Sequence, residues 1–438
     1  MTGAVTESNQ EAAVLEAHQN FLHAQPRTAL SPLQEAAIER FEQLGFPHPK
    51  HEMFTFVNTH ELTHTVFSIL PPGQVDSAFL QSLVYPACRA SVIVFVDGVY
   101  DSSLSNTSAL PAGVALIRLE DALESPDIKD HLLHTLENEN DVFACLNGAF
   151  MTGGLLVDVA GGVVADAPLQ VLYLSTGADN GPRVHHPRLM LRLGRRAELK
   201  WAGKFAGTGG GYLVNAVQDL LLGEGAGMVC SVFQQDPAEA WHLSKMRVFQ
   251  NRDSRFTAHF GASGSRVARM HHEVRLREEG AELNLMAAAV LCGREQAHHF
   301  VRIHHEAPHC TSHQHFKNVV GDNGRASVDG TVIVNQGAQL TSSDQLINNL
   351  MLSDGAHADN KPNLMIFADD VKCTHGTTVG RIDEDQLFYL KTRGLQDELA
   401  RRILTTSFIE SLIEQIPFED VVRDMHTVLL GKLETANA

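Results

Sequence analysis

A strand running into a small-residue turn recurs through the middle of this chain, and the recurrence limits the folds open to it. The copies read Leu220-Leu221-Leu222-Gly223-Glu224-Gly225-Ala226, Val274-Arg275-Leu276-Arg277-Glu278-Glu279-Gly280-Ala281, Val332-Ile333-Val334-Asn335-Gln336-Gly337-Ala338 and Leu350-Met351-Leu352-Ser353-Asp354-Gly355-Ala356. A degenerate copy, Arg247-Val248-Phe249-Gln250-Asn251-Arg252-Asp253-Ser254, lies between the first two. One strand-and-turn unit repeated every ~20–30 residues marks a solenoid, whose units bury their apolar faces against their neighbours. Nothing between the copies is long enough to be the crossover helix of a βαβ sheet. The expected architecture is mainly β: a parallel β-helix with inward residues such as Leu276, Ile333 and Ile366. A propeller or a sandwich is the competing architecture.

From about residue 88 to 380 the apolar residues fall in short runs bounded by Gly, Asn and Asp, among them Val92–Val96, Leu189–Leu193 and Leu364–Phe367. Residues 117–138 are an exception with a helical period, and read as an insertion between early strands. Before residue 47 the period is also helical, with Val14, Leu15, His18, Phe21 and Leu22 on one stripe. There Ser31-Pro32-Leu33-Gln34 looks like a helix start closed by a capping box. Pro47-His48-Pro49-Lys50 then makes an extended linker. After Arg381 the helical period returns. Asp383, Glu384 and Asp385 favour a helix N-terminus and Gly394 its end. Leu399, Ile403, Leu404, Phe408, Leu412 and Ile416 form the next stripe, and Val421 to Leu433 the last. The expected organisation is an N-terminal helical domain and linker (1–85), a β-helix core (86–382) and a C-terminal helical domain (383–438). The helices would cover the open edges of the coil stack.

A chain of 438 residues with 44% hydrophobic and 20% charged residues can bury a sizeable core. Its net charge of −18 argues against nucleic-acid binding, which needs a basic face. No apolar run approaches the ~18 residues that span a bilayer, and the first residues lack the pattern of a secretory signal. The six cysteines are scattered, with no C-x-x-C pair. That spacing suits neither a disulfide scaffold nor a zinc finger, and the expected setting is a reduced cytoplasm.

The chemistry concentrates at the boundary between strands and C-terminal helices. Cys373 and His375 stand two apart, so in a strand both side chains share a face. A thiolate and an imidazole together suit a soft metal or an iron–sulfur cluster. Seven histidines between His298 and His315, with Cys310, form a second candidate: His298, His299, His304, His305, His309, His313 and His315. In a strand they divide between two faces, so they read mainly as β-helix structure. Ser312, Gln314 and Lys317 are read the same way. The run Gly207–Gly211 matches neither phosphate-binding template, and no G-x-S-x-G or H-E-x-x-H appears. A β-helix enzyme acting on a polysaccharide stays open, although two tryptophans and five tyrosines leave few rings to stack on sugars.

The string Lys372-Cys373-Thr374-His375-Gly376, Thr378-Val379-Gly380-Arg381, Phe388-Tyr389-Leu390 and Arg393-Gly394 resembles the C-terminal signature of the SufB/SufD family, which assembles iron–sulfur clusters. Ala240-Trp241-His242-Leu243 and the missing N-terminal C-x-x-C point to the SufD branch. The resemblance implies a right-handed parallel β-helix with helical domains at both ends, acting as a non-catalytic scaffold. It implies pairing with SufB through the last coils, docking of the ATPase SufC on the C-terminal helices, and a homodimer when those partners are absent. It further implies a transient iron–sulfur cluster formed with SufB and none held tightly by this chain alone. His375 would be a cluster ligand and Cys373 an interface thiol and possible ligand. Phe388, Tyr389, Leu390 and Arg393 would bind a partner.

Overall fold

The computed structural model describes residues 3–48, 50–177, 181–209 and 211–436. Pro49 of the linker and Gly210 of the glycine run lie outside them. The chain winds alternately through two ten-stranded sheets; each begins with an antiparallel pair, and the later strands of each sheet pair in parallel and in register. Sheet one ends on Thr311–Val320, Thr341–Met351 and Val371–Gly380; sheet two ends on Gln296–His305, Arg325–Val334 and His357–Ile366. The later sheet-one strands start at Gly227, Arg255, Glu282, Thr311, Thr341 and Val371, a repeat of just under thirty residues. This is the parallel β-solenoid expected of the repeats. The helices Leu119–Ala122, Pro126–Glu137 and Val142–Phe150 are inserted between the early strands Val114–Arg118 and Leu155–Val159.

The repeat has a backbone cause. At one corner of each coil a single residue takes a left-handed conformation: Arg196, Gly225, Asp253, Gly280, His309 and Leu340. Each is followed by a small or compact buried residue, in turn Ala197, Ala226, Ser254, Ala281, Cys310 and Thr341. The left-handed residue donates its N–H to the next coil: Gly225 to Arg252 O (2.8 Å), Asp253 to Glu279 O (3.0 Å), His309 to Gln339 O (3.0 Å) and Leu340 to Asp370 O (2.6 Å). The corner therefore continues the ladder between strands, and the small residue lets the chain turn without a bulky side chain in the bend.

Between the sheets lies a packed core. Leu276 is fully buried there, as expected. Ile333 is not, because it pairs with His304 on the outer face while Val332 and Val334 point inward; one residue of register exchanges the faces. Ile366 continues the inward column Leu276–His305–Val334, yet it is 39% exposed because no further coil covers it. Leu276→Ala is expected to cost about 2–5 kcal/mol and Ile366→Ala less than about 1 kcal/mol, read from denaturant midpoints.

Helices flank both sheets. On sheet two, Leu33, Ala37, Leu132 and Leu136 pack with Leu156 and Met190, and Phe41, Phe54 and Phe143 with Leu213, Trp241 and Leu243. Ser31 opens the helix Ser31–Leu44 but does not cap it; Leu30 holds the cap position and the Ser31 hydroxyl accepts from the Thr28 N–H. Gln34 donates to Met151 O (2.9 Å) and so does not complete a capping box. Asp383 caps the helix Glu384–Thr392 through the N–H groups of Asp385 and Gln386, as its position suggested.

The remaining C-terminal helices do not close the end of the stack. Asp397–Ile413, Glu419–Met425 and Gly431–Ala436, joined by a π-helical turn, run back along the outer face of sheet one. That face is apolar enough to hold them: Ile409, Ile413, Phe418, Val421, Met425 and Leu429 pack on Ala202, Phe233, Ala288, Val290 and Val319. Asp424 pins the far end, accepting from Tyr85 Oη (2.8 Å) and Lys204 Nζ (2.5 Å). Of the expected stripe, Leu412 and Ile416 are buried but Ile403 is exposed.

Candidate functional site at the open end of the solenoid

The terminal strands His357–Ile366 and Val371–Gly380 each pair with one sheet neighbour. Among the described residues no strand pairs with their outer edges, which leaves backbone N–H and C=O groups free to pair. Such an edge is an invitation to another strand, and natural proteins limit indiscriminate pairing with charge and proline. Lys361, Pro362 and Lys372 stand on these two strands. Apolar side chains gather there too: Met365 (48% exposed), Phe367 (60%) and Val379 (56%).

Cys373 and His375 lie on Val371–Gly380 and continue two inward columns. One runs Leu283, Ser312, Ser343, Cys373; the other runs Leu285, Gln314, Gln345, His375. Both change from apolar to polar as they approach the end. Ser312 and Ser343 share a hydrogen bond (2.9 Å), and Gln345 Nε2 donates to Gln314 Oε1 (3.3 Å). Gln345 has room because Gly330 faces it; a β-carbon at Gly330 would lie 1.8 Å from the Gln345 amide nitrogen. Gln345 Oε1 is buried without a hydrogen-bond partner beneath the terminal coil. Sequence reasoning passed over Gln345 and Ser343. Their signal was weak: polar residues at inward positions of a strand.

The strand thus brings Cys373 and His375 to one face, as their spacing predicted. Cys373 is half-buried, and burial pushes its thiol up from the usual range, partly offset by the Ser343 backbone N–H. His375 is exposed. Among the described residues no three His, Cys, Asp or Glu side chains gather into a metal-ligand set. Phe388 (69% exposed), Tyr389 (56%), Leu390 and Arg393 belong to a different surface, the helix Glu384–Thr392 and its C-cap, where the Arg393 guanidinium lies 5.1 Å over the Tyr389 ring.

The histidine-rich stretch is dispersed by the same alternation. His299 and His305 face inward, where His299 Nδ1 lies 3.2 Å from His272 Nε2 and His305 Nε2 lies 2.8 Å from Ser312 Oγ. His298 pairs with Ser327 Oγ (2.7 Å) and His309 occupies the left-handed corner. Ser312 and Gln314 are inward residues, while Lys317 reaches outward to Phe408 O (2.9 Å).

Fold and site define a β-solenoid with a pairable open end that presents a thiol and an imidazole. The chain belongs to the SufBD family of the SUF iron–sulfur cluster assembly system: residues 173–408 match the SufBD core domain and residues 6–171 the SufBD N-terminal region. It is 29% identical to an iron–sulfur cluster assembly SufBD family protein of Synechocystis, over 88% of this chain and 87% of that one. It is 27% identical to the iron–sulfur cluster assembly protein SufD of Escherichia coli, over 89% and 90% of the two chains. To SufB of Bacillus subtilis the identity is 23%, over 83% and 79%. Among the described residues no helix is long and apolar enough to cross a membrane.

Proposed function

We propose that this chain is a SufD-type scaffold subunit, non-catalytic and cytoplasmic, that pairs with SufB through its terminal coil and binds the ATPase SufC through its C-terminal helices. The observation that carries this reading is the open end, where unpaired strand edges, exposed apolar side chains and the Cys373–His375 pair coincide. A second solenoid end apposed here would continue the ladder and add the ligands that two donors lack. A cluster held partly by imidazole and completed across an interface is a cargo that can be released when the interface opens. A second copy of this chain fits the same edge when SufB is absent. Phe388 and Tyr389, with half-buried Leu390 and the adjoining Arg393, form an aromatic patch suited to an ATPase surface, since exposed aromatics and arginine make binding hot spots.

The test is co-expression with SufB and SufC and anaerobic purification of the complex. His375→Ala removes a ligand without emptying the core. Complex yield is expected to hold, while affinity for iron falls roughly tenfold or more, read as iron and sulfide content. Phe388→Asp is expected to lose SufC while retaining SufB. Equal cluster content at equal yield would reject His375 as a ligand.

A further inference from the structure

The outer face of sheet two carries a cleft that this function does not use. In-register pairing stacks Arg247, Glu273, Arg302 and Thr331 in one column and Phe249, Arg275, His304 and Ile333 in the next. The helix Pro126–Glu137 borders these columns, with His131 packed edge-on against Phe249 (5.0 Å between centroids). The open cleft has a volume of about 610 Å³, a size typical of small-molecule sites. Five cations line it, Lys245, Arg247, Arg275, Arg277 and Arg302, with four carboxylates, Glu52, Glu139, Glu273 and Glu306.

Most of these charges are matched. Lys245 pairs with Glu139 and Glu273, Arg275 with Glu273 and Glu306, and Arg302 with Asp329. Two groups are not. Arg247 is 3% exposed; its Nε donates to Asp219 (2.6 Å) and its Nη1 to Glu139 (2.6 Å), but its buried Nη2 has no hydrogen-bond partner. Arg277 is exposed at the mouth of the cleft, 4.0 Å over the Phe249 ring, and among the described residues it has neither a carboxylate within 4 Å nor a side-chain hydrogen bond. Across the cleft, His131 Nε2 is also buried and unpartnered. A buried donor left without an acceptor costs about 1–3 kcal/mol, and more when charged, so Arg247 Nη2 is a standing demand for an acceptor, and His131 Nε2 joins it in the tautomer that carries its proton there. The rings of Phe249 and Phe300 are already covered by Arg277 and Arg302 (4.0 and 3.7 Å), so the cleft offers donors more than a bare aromatic platform.

We propose that this cleft binds a compact polyanion bearing phosphate or carboxylate groups, with Arg277, Arg247 Nη2 and His131 as its donors. The proposal stands on the cleft alone and is independent of the scaffold reading. Its test is isothermal titration of the full chain at low ionic strength with pyrophosphate and, separately, citrate. Saturable one-site binding is expected for at least one of them. Arg277→Gln should weaken it about tenfold or more, since a charge-assisted contact is lost. The melting temperature without ligand should fall only slightly, because Arg277 loses its contact with the Phe249 ring but no ion pair. Glu306→Gln, which removes a carboxylate from the wall and one of the two partners of Arg275, should tighten binding and provides a second reading if Arg277→Gln also alters folding. Pyrophosphate binding alone would assign a phosphate ligand and citrate binding alone a carboxylate one. Binding of neither anion, or equal affinity in wild type and both variants, would overturn the proposal.

Discussion

Acidification from about pH 6.5 to pH 4 is expected to remove stability steeply, before most carboxylates titrate. Burial holds His131, His185, His271 and His305 down to about 4, and His298 and His299 down to about 3. In the unfolded chain these imidazoles take up protons below their ordinary value near ~6.5, whereas the fold keeps them neutral. The unfolded state therefore binds more protons throughout that window, so stability falls as pH falls. Each such histidine contributes up to about 1.4 kcal/mol per pH unit. Several together rival the whole stability of an ordinary domain, about 5–15 kcal/mol. Glu273 adds a later loss. Burial raises its carboxyl, but Lys245, His271 and Arg247 outweigh that and hold it at about 2. Its stabilisation is present above the unfolded carboxylate value and disappears as pH falls toward 2. Urea midpoints across this series check the expectation; a midpoint level from pH 7 to pH 5 would mean that the buried imidazoles are not held neutral.

Removal of residues 397–438 is expected to be as damaging, and to leave no separately folded solenoid. The tail buries Ile409, Ile413, Ile416, Phe418, Val421, Met425, Leu429 and Leu433. At about 1.5–3 kcal/mol each, these side chains represent an upper estimate of roughly 12–24 kcal/mol. Deletion also uncovers the apolar stripe of Phe233, Val290 and Val319 on sheet one, an aggregation surface. Soluble yield and dye binding to exposed apolar surface measure the effect. Met425→Asp, which places a charge in the same contact, is expected to reproduce it in part. Phe388→Asp, on an exposed helix face, should leave stability unchanged. A soluble, cooperatively melting truncation would show that the tail is a separable domain, as its helical period alone had suggested.

The coils were legible in the sequence wherever the left-handed corner is glycine. Gly225-Ala226 and Gly280-Ala281 announce themselves, and Asp253-Ser254 is their recognisable relative. His309-Cys310 and Leu340-Thr341 hold the same corner with residues that carry no turn signal; the Gly337-Ala338 copy falls just ahead of the Leu340 corner, and the Gly355-Ala356 copy lies at the opposite corner, after a sheet-one strand. The coil's final position was hidden for another reason. Ile366 and His375 are exposed because winding stops there, and nothing in either residue records that. The imidazoles of the histidine-rich stretch read as divided between two faces of a strand, yet His298 on one face and His299 and His305 on the other are all buried, since serine or a second imidazole partners each of them. The amphipathic tail was visible from its period, but its docking face was not. Ala202 and Ala288 make room for it, and alanine in a strand says nothing about what lies above.

The tail also acts as a tether across the stack. Asp424 meets Tyr85 across a sequence separation of 339 and Lys204 across one of 220, separations that would make closure unfavourable in a flexible chain. Wound coils alter that cost. They hold Tyr85 and Lys204 on a stiff surface, so the local concentration of Asp424 there is set by the segment leading back from Gly380 and by the packing of its helices on sheet one. The helix Glu384–Thr392 lies within that segment. A partner that displaces this helix therefore acts on both anchors at once, the terminal strand behind it and the clasp at Asp424 ahead of it.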